Sequence, residues 1–259
     1  MDQPELLALF DQEQRIAITY TGTRKEVQPE LVRFVRPAPG MSFIRYSRCA
    51  QADLAPAIQA QIAYFTRINQ PFTWKVYAHD SPPNLAEQLV AAGFVRDDDS
   101  AAVMLLDLRA VPDSLLAPVS ADIRRITARE RLAAVIAVEE QVWGGDFGWM
   151  TRRLGDDLAI PEYLSMYVAY VDDRPACAGW IFFHPRSQFA GLWGGSTVAA
   201  YRQRGLYTAI LATRVQEARQ RGYRYLIVEC GPMSLAIVRN HGFQRLTEVW
   251  DYEWNPFAG

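Results

Sequence analysis

The sequence predicts a mixed α+β protein built as two domains, and three observations carry that expectation. Strand-like and helix-like hydrophobic runs alternate along most of the chain. At Gly205 the spacing of apolar residues changes to that of a helix. A stretch with two prolines, RAVPDSLLAPVSA from Arg109 to Ala121, separates an apolar strand-like run from a new pattern that begins DIRRIT. A chain of 259 residues exceeds the roughly 100–200 typical of one domain, so the boundary in that stretch divides it into 1–115 and 116–259.

Composition narrows the function classes. Half of the residues are hydrophobic and the formal net charge is −2, which provides for a substantial core and gives no basic footprint for nucleic acid. No apolar run approaches the ~20 residues of a membrane span, and MDQPELLALF lacks the basic start of a signal peptide. The expectation is a cytoplasmic protein without nucleic-acid or membrane partners. Cys49, Cys177 and Cys230 are odd in number and far apart, so buried reduced thiols are expected rather than a disulfide or zinc framework. His79, His184 and His241 are likewise too scattered to suggest a metal site.

Taken in order, DLAPAIQAQIAYFTRI reads as a helix and FTWKVYAHD as a strand. A Pro-Pro start then opens the helix NLAEQLVAAGF, and SAAVMLLDL is a strand. Beyond the boundary come a strand from Asp122 to Thr127, a helix from Ala128 to Val142, and a Gly- and Trp-rich segment, GGDFGWM, that opens a second helix. The run YLSMYVAYVDDRPACAGWIFFH is two strands around the turn Asp172-Asp173-Arg174-Pro175, an antiparallel hairpin. FAGLWGGSTV is a further strand. From Gly205, Leu206, Ile210, Leu211, Val215 and Ala218 recur at helical spacing, with Gly222 as terminator. YRYLIVEC, PMSLAIVRNHGF and RLTEVWDYEW complete the order as strand, short helix and strand.

The informative junction is VAAYRQRGLYTAIL, where a strand ends and a helix begins. Such a corner offers unpaired backbone N–H groups and the positive end of the helix dipole to an anion. Gly205 lets a phosphate approach the backbone closely, and Arg202 and Arg204 add positive charge. Competing motifs fail. Gly191, Gly194 and Gly195 lie inside a strand and form no dinucleotide fingerprint. Ser196 in GGSTV lacks the second flanking glycine of a nucleophile elbow, and there is no Walker A loop.

Arg202, Gln203, Arg204, Gly205, Leu206, Tyr207 at this corner resembles the signature of the GNAT superfamily of N-acetyltransferases: Arg or Gln, two residues, Gly, one residue, then Gly or Ala. Element order from about Asp122 to Trp254 and the closing Gly242-Phe243 resemble the family as well. Three departures are visible. Tyr207 stands where the family has a small residue, Ala199 where a proline often follows Thr-x, and Val238 where the family's thiolate-protonating tyrosine lies.

The resemblance implies a mixed, mostly antiparallel sheet flanked by helices, and acetyl-CoA or another acyl-CoA as co-substrate with no metal. It implies that the pantetheine arm pairs near Ser196, Thr197 and Val198, and that the pyrophosphate sits on the amides of Gln203, Arg204, Gly205, Leu206, Tyr207 and Thr208. The acceptor it implies is the amine of a small molecule or peptide; a homodimer stays open. Glu229 in LIVEC falls where several family members carry a base; a structural ion pair with Arg224 or another cation is its other reading. Tyr207, Cys230 and His241 are the substitutes for the missing acid. Glu139 and Glu140, with Trp143 and Trp149, are either an acceptor-facing wall or an exposed helix face with tryptophans in the core.

The N-terminal half repeats strand, short helix, Gly93-Phe94, strand, and so reads either as a second, degenerate unit of the same kind or as an unrelated α+β domain. No glycine occurs between Met41 and Ala92, so it should hold no pyrophosphate in this manner. An acyltransferase and a non-catalytic acyl-CoA-binding module remain the two functional expectations.

Overall fold

The computed structural model describes residues 2–38 and 40–257. The chain opens on α1 (Gln3–Phe10), started by a capping box: Asp2 accepts from the Glu5 amide at 2.9 Å, and the Glu5 carboxylate accepts from the Asp2 amide at 3.1 Å. There follow β1 (Arg24–Val27), β2 (Leu31–Val35), β3 (Ser42–Ser47), α2 (Leu54–Arg67), β4 (Phe72–Tyr77), α3 (Leu85–Ala91), β5 (Val95–Arg96) and β6 (Ala101–Asp107). Next are β7 (Asp122–Ile126), α4 (Ala133–Trp143), α5 (Trp149–Leu158), β8 (Leu164–Val171), β9 (Arg174–Phe183) and β10 (Phe189–Thr197). Last come α6 (Leu206–Gln220), β11 (Tyr225–Cys230), α7 (Pro232–Asn240) and β12 (Gln244–Trp254).

The chain forms two compact units. The first comprises Met1–Met104, Glu229–Ala236 and Arg245–Gly259; the second comprises Leu105–Val228 and Ile237–Gln244.

In the second unit β7, β8, β9 and β10 form antiparallel neighbours, and β10 runs parallel to β11 through Phe189↔Tyr225, Ala190↔Leu226 and Gly191↔Ile227. Side chains alternate between the sheet's two faces. Met166, Val168, Ala178 and Trp180 pack with Val135 and Val138 of α4 and with Met150 and Leu154 of α5. Tyr167, Ala169 and Cys177 meet Leu206 and Ile210 of α6 on the other face. That alternation makes the hairpin strands apolar throughout: both faces are covered.

In the first unit β1, β2 and β3 are antiparallel, β3 is parallel to β4 through Ser42↔Phe72, Phe43↔Thr73 and Ile44↔Trp74, and β12 is antiparallel to β4. Its core gathers Phe65 of α2, stacked on Phe72 at 4.1 Å, with Trp74, Phe94 and Tyr252. The β3–α2–β4 crossover thus has the same form as β10–α6–β11: an antiparallel run, then a helix, then a strand that joins in parallel. Among the described residues no helix is long and apolar enough to cross a membrane.

Candidate functional site

The corner between β10 and α6 is built from its backbone outward. β10 pairs with β11 only as far as Gly191, whereas it stays paired with β9 to Thr197, with a register shift between Gly194 and Ser196. Among the described residues, one edge of β10 from Leu192 to Thr197 therefore has no strand paired beside it. Val198 donates to the Ala176 carbonyl at 3.0 Å, and a short 3-10 turn, Ala199–Tyr201, leads away.

Gln203 at φ 61° and Gly205 at φ 75° then take left-handed conformations that reverse the chain into α6. The Gly205 carbonyl accepts the first helical bond, from Ala209 at 2.9 Å, and no side chain caps the helix. The start of α6 is thus the positive end of a helix without a side-chain cap bond. A side-chain carbon built on Gly205 would meet nothing within 4 Å, so the space beside this residue is open. Arg202 and Arg204 are exposed beside it, and the Arg202 Nε donates to the Thr197 carbonyl at 3.2 Å. Thr208 lies one turn in, with its hydroxyl 3.2 Å from Nε2 of His241.

Tyr207, the departure from the small residue of the motif, lays its ring against Gly195 of β10. A Cβ on Gly195 would stand 2.9 Å from the ring, so that glycine, at φ 96°, makes the room. Arg214, one turn beyond Ile210 on the buried stripe of α6, is 1% exposed. It donates to the Trp180 and Trp193 carbonyls at 3.2 and 3.1 Å, holding β9 and β10 where the register shifts. Neither Gly195 nor Arg214 is marked by the loop motif. The available signals are the Gly194-Gly195 pair inside a strand and a cation at an apolar position of a helix.

Ser196, expected beside the pantetheine arm, is buried and receives the Trp143 Nε1 proton at 3.0 Å while donating its own to Oε2 of Glu139 at 3.0 Å. Glu139 is 5% exposed, and its other oxygen, Oε1, is buried without a hydrogen-bond partner. Burial raises its pKa, outweighing the bonds from Ser196 and Trp143 that lower it. Glu140 is exposed, and Trp143 and Trp149 are 59% and 53% exposed. Of the two readings of this segment, tryptophans in the core with glutamates in solvent does not occur: Glu139 points in and both indoles point out.

Glu229, expected as the base, lies in the first unit. Lys75 Nζ donates to Oε2 at 3.1 Å, and Arg45 and Tyr77 donate to Oε1 at 3.2 and 3.3 Å. Burial would raise its pKa, but Lys75 and Arg45 outweigh it and bring it down to about 2. Its cations are thus these two and not Arg224, which pairs with Asp107 at 2.5 Å. At neutral pH the carboxylate is ionised and a weak proton acceptor.

Among the substitutes for the missing acid, Cys230 is buried and its thiol is pushed up by burial, while burial lowers the His241 imidazole. Val238 is 1% exposed, a core residue where the motif's hydroxyl would stand. Cys49 and Cys177 are also buried and free. Among the described residues no group of three or more His, Cys, Asp or Glu could hold a metal ion.

No family model matches the sequence, and no curated protein matches it. Solved structures do. The chain is similar to a GCN5-related N-acetyltransferase from Kribbella flavida, with a TM-score of 0.72 and 14% identity over 97% of this chain and 95% of that one. A functionally unknown conserved protein from Staphylococcus epidermidis matches with a TM-score of 0.67 and 12% identity over 92% and 95% of the two chains. A tandem GNAT protein from the clavulanic acid biosynthesis pathway matches at 0.65 and 13% over 94% and 86%. The likeness extends over nearly the whole chain and establishes the fold, a mixed and mostly antiparallel sheet flanked by helices as in GNAT structures.

Proposed function

We propose that this chain is an acyl-CoA-dependent N-acyltransferase that moves an acetyl group from acetyl-CoA to the amine of a small molecule or peptide. The observation that carries the reading is the uncapped start of α6 behind the left-handed Gly205, next to an edge of β10 with no strand on it. An anion on the helix amides and an extended arm along a strand edge are what such a corner can hold. Gln203, Arg204, Gly205, Leu206, Tyr207 and Thr208 would receive the pyrophosphate, and Ser196, Thr197 and Val198 the pantetheine arm. Acetyl-CoA supplies the thioester, whose carbonyl is attacked directly by the amine. No covalent enzyme intermediate is required.

The fold repeat supports a tandem origin, in which 1–115 is a degenerate counterpart of 116–259. Glu229 stays in the proposal as the carboxylate the family resemblance implies, with its two cations limiting it as a proton acceptor.

The test is release of free thiol from acetyl-CoA over a panel of amines, alongside the melting temperature with and without acetyl-CoA. Binding to the native state must raise the melting temperature. Gly205→Glu puts a carboxylate in front of the helix amides and should abolish both signals; unchanged turnover in that variant overturns the reading. A second reading, a non-catalytic acyl-CoA-binding module, is favoured by the buried Val238. Calorimetric binding with no turnover across the panel would select it.

A further inference from the structure

A cleft of about 410 Å³, within the size range of small-ligand sites, lies in the first unit, and Gln28, Arg33, Gln61, Tyr64 and Arg67 line it. Gln61, Tyr64 and Arg67 come from the second half of α2, so the cleft is not the counterpart of the corner at the start of α6.

Arg33 is held firmly in this cleft. It is 6% exposed, its Cζ stands 3.4 Å from the centre of the Tyr64 ring, and its Nε donates to Oε2 of Glu26 at 2.6 Å. Nη2 pairs with the same carboxylate, and Nη1 donates to Oε1 of Gln61 at 2.8 Å. A guanidinium carries two N–H groups on each terminal nitrogen, so one on each is left after these contacts. The amides continue the pattern. Because Gln61 Oε1 accepts from Arg33, its Nε2 donates, to Oε1 of Gln28 at 3.3 Å. The remaining end of the Gln28 side chain is its Nε2, again a donor.

Charge is unbalanced in the same direction. Arg24, Arg33 and Arg67 gather at Tyr64: Arg24 donates to its hydroxyl at 2.9 Å, and Arg67 lies 5.5 Å from its ring centre. Glu26 is the carboxylate among them; it pairs with both Arg24 and Arg33 and accepts from the Tyr64 hydroxyl at 3.2 Å. Arg67 is exposed and meets no carboxylate among the described residues, although its place in the last turn of α2 suits the negative end of the helix dipole. Burial pushes the Arg33 pKa below its ordinary value; Tyr64 opposes this, and Arg24 and Arg67 add to it. Of the neighbouring carboxylates, Glu30 and Asp53 act on the Cys49 thiol, which precedes α2.

We propose that this cleft binds a small phosphate monoester, its phosphoryl oxygens received by Arg33, Arg67 and Gln28. The guanidinium charges of Arg24, Arg33 and Arg67 exceed the single charge of Glu26, and a phosphate monoester brings about −1.5 to −2 at pH 7. Charge-assisted bonds from arginine suit its oxygens in geometry as well as in charge. The inference goes beyond the acyltransferase reading and does not depend on it.

Glycerol 3-phosphate is the probe and glycerol its uncharged counterpart, each titrated calorimetrically into the full chain at pH 7 and constant ionic strength. Glycerol 3-phosphate should bind saturably and glycerol should not. Arg67→Gln, which shortens an exposed side chain, should weaken that binding about tenfold or more, whereas Gly205→Glu, which blocks the α6 corner, should leave it unchanged. Absence of saturable binding to the wild type overturns the proposal, as does undiminished binding to Arg67→Gln. Binding lost in a folded Gly205→Glu and kept in Arg67→Gln would put the phosphoryl group at the α6 corner and overturn it equally. Loss of acetyl-CoA binding or turnover with glycerol 3-phosphate binding kept bears against the acyltransferase reading and leaves this seat standing.

Discussion

Glu229 and Glu139 are both glutamates drawn out of water, yet their surroundings push them in opposite directions. Burial alone raises a carboxyl, as at Glu139; two adjacent cations reverse the effect at Glu229. Glu229 therefore contributes stability that is fully present above the ordinary glutamate range near 4.3 and is lost as the pH falls through its folded value of about 2. Glu229→Gln leaves Arg45 without its salt-bridge partner and Lys75 with Asp251, at 2.9 Å. The expected destabilisation at pH 7 is about 3 kcal/mol, shrinking as both proteins are melted at successively lower pH toward 2. If the melting difference is instead independent of pH, the ion pairs are not what the carboxylate contributes. The same variant separates its two roles: lost turnover with the fold and acetyl-CoA binding kept would favour the base, lost stability with turnover per folded molecule kept would favour the network.

The two parallel crossovers show how one element plan gives different chemistry. In β10–α6–β11 the strands stop pairing after three rungs and a left-handed glycine leads into an uncapped helix. In β3–α2–β4 pairing also has three rungs, but the strands are drawn together again: Arg48 bridges Ser81, and the Cys49 amide donates to the Ser81 carbonyl at 3.3 Å. Trp74 Nε1 donates to Ser47 Oγ at 3.2 Å, covering the strand end, and Asp53 stands at the start of α2 where an anion would be repelled. Calorimetry with CoA should accordingly give one site per chain, and two equivalent sites would show that the first crossover also binds. The expectation that no phosphate is held there rests on the missing glycine; the strand closure points the same way, and no local pattern displays it.

At the scale of the molecule, each unit is assembled from distant segments. The first unit includes β12, whose residues Val249 to Trp254 pair with Tyr77 to Phe72 of β4 and whose Tyr252 enters the core with Phe72 and Trp74. A fragment of residues 1–115 would leave β4 with an unpaired edge and an incomplete core. Expressed alone it should lack a cooperative thermal transition by circular dichroism. Cooperative melting of that fragment would show that β12 is dispensable to the first unit.

What the sequence determined by itself is the kind and order of the elements from Asp122 to Trp254, the helical stripe of α6 and the glycine at its start. These follow from residues close in the chain: apolar period, turn chemistry and the backbone freedom of Gly205 act within a few positions. Only the tertiary structure decided the first strands, β1 to β3, and that β12 would pair with β4. It also decided that Glu229 would meet Lys75 and Arg45, that Glu139 would turn inward while Trp143 turned outward, and that Gly195 would receive the Tyr207 ring. The reason is that strand partners, burial and charge neighbours are set by segments far apart in the chain, brought together by a shared core, and no periodicity along the sequence encodes which of them will meet.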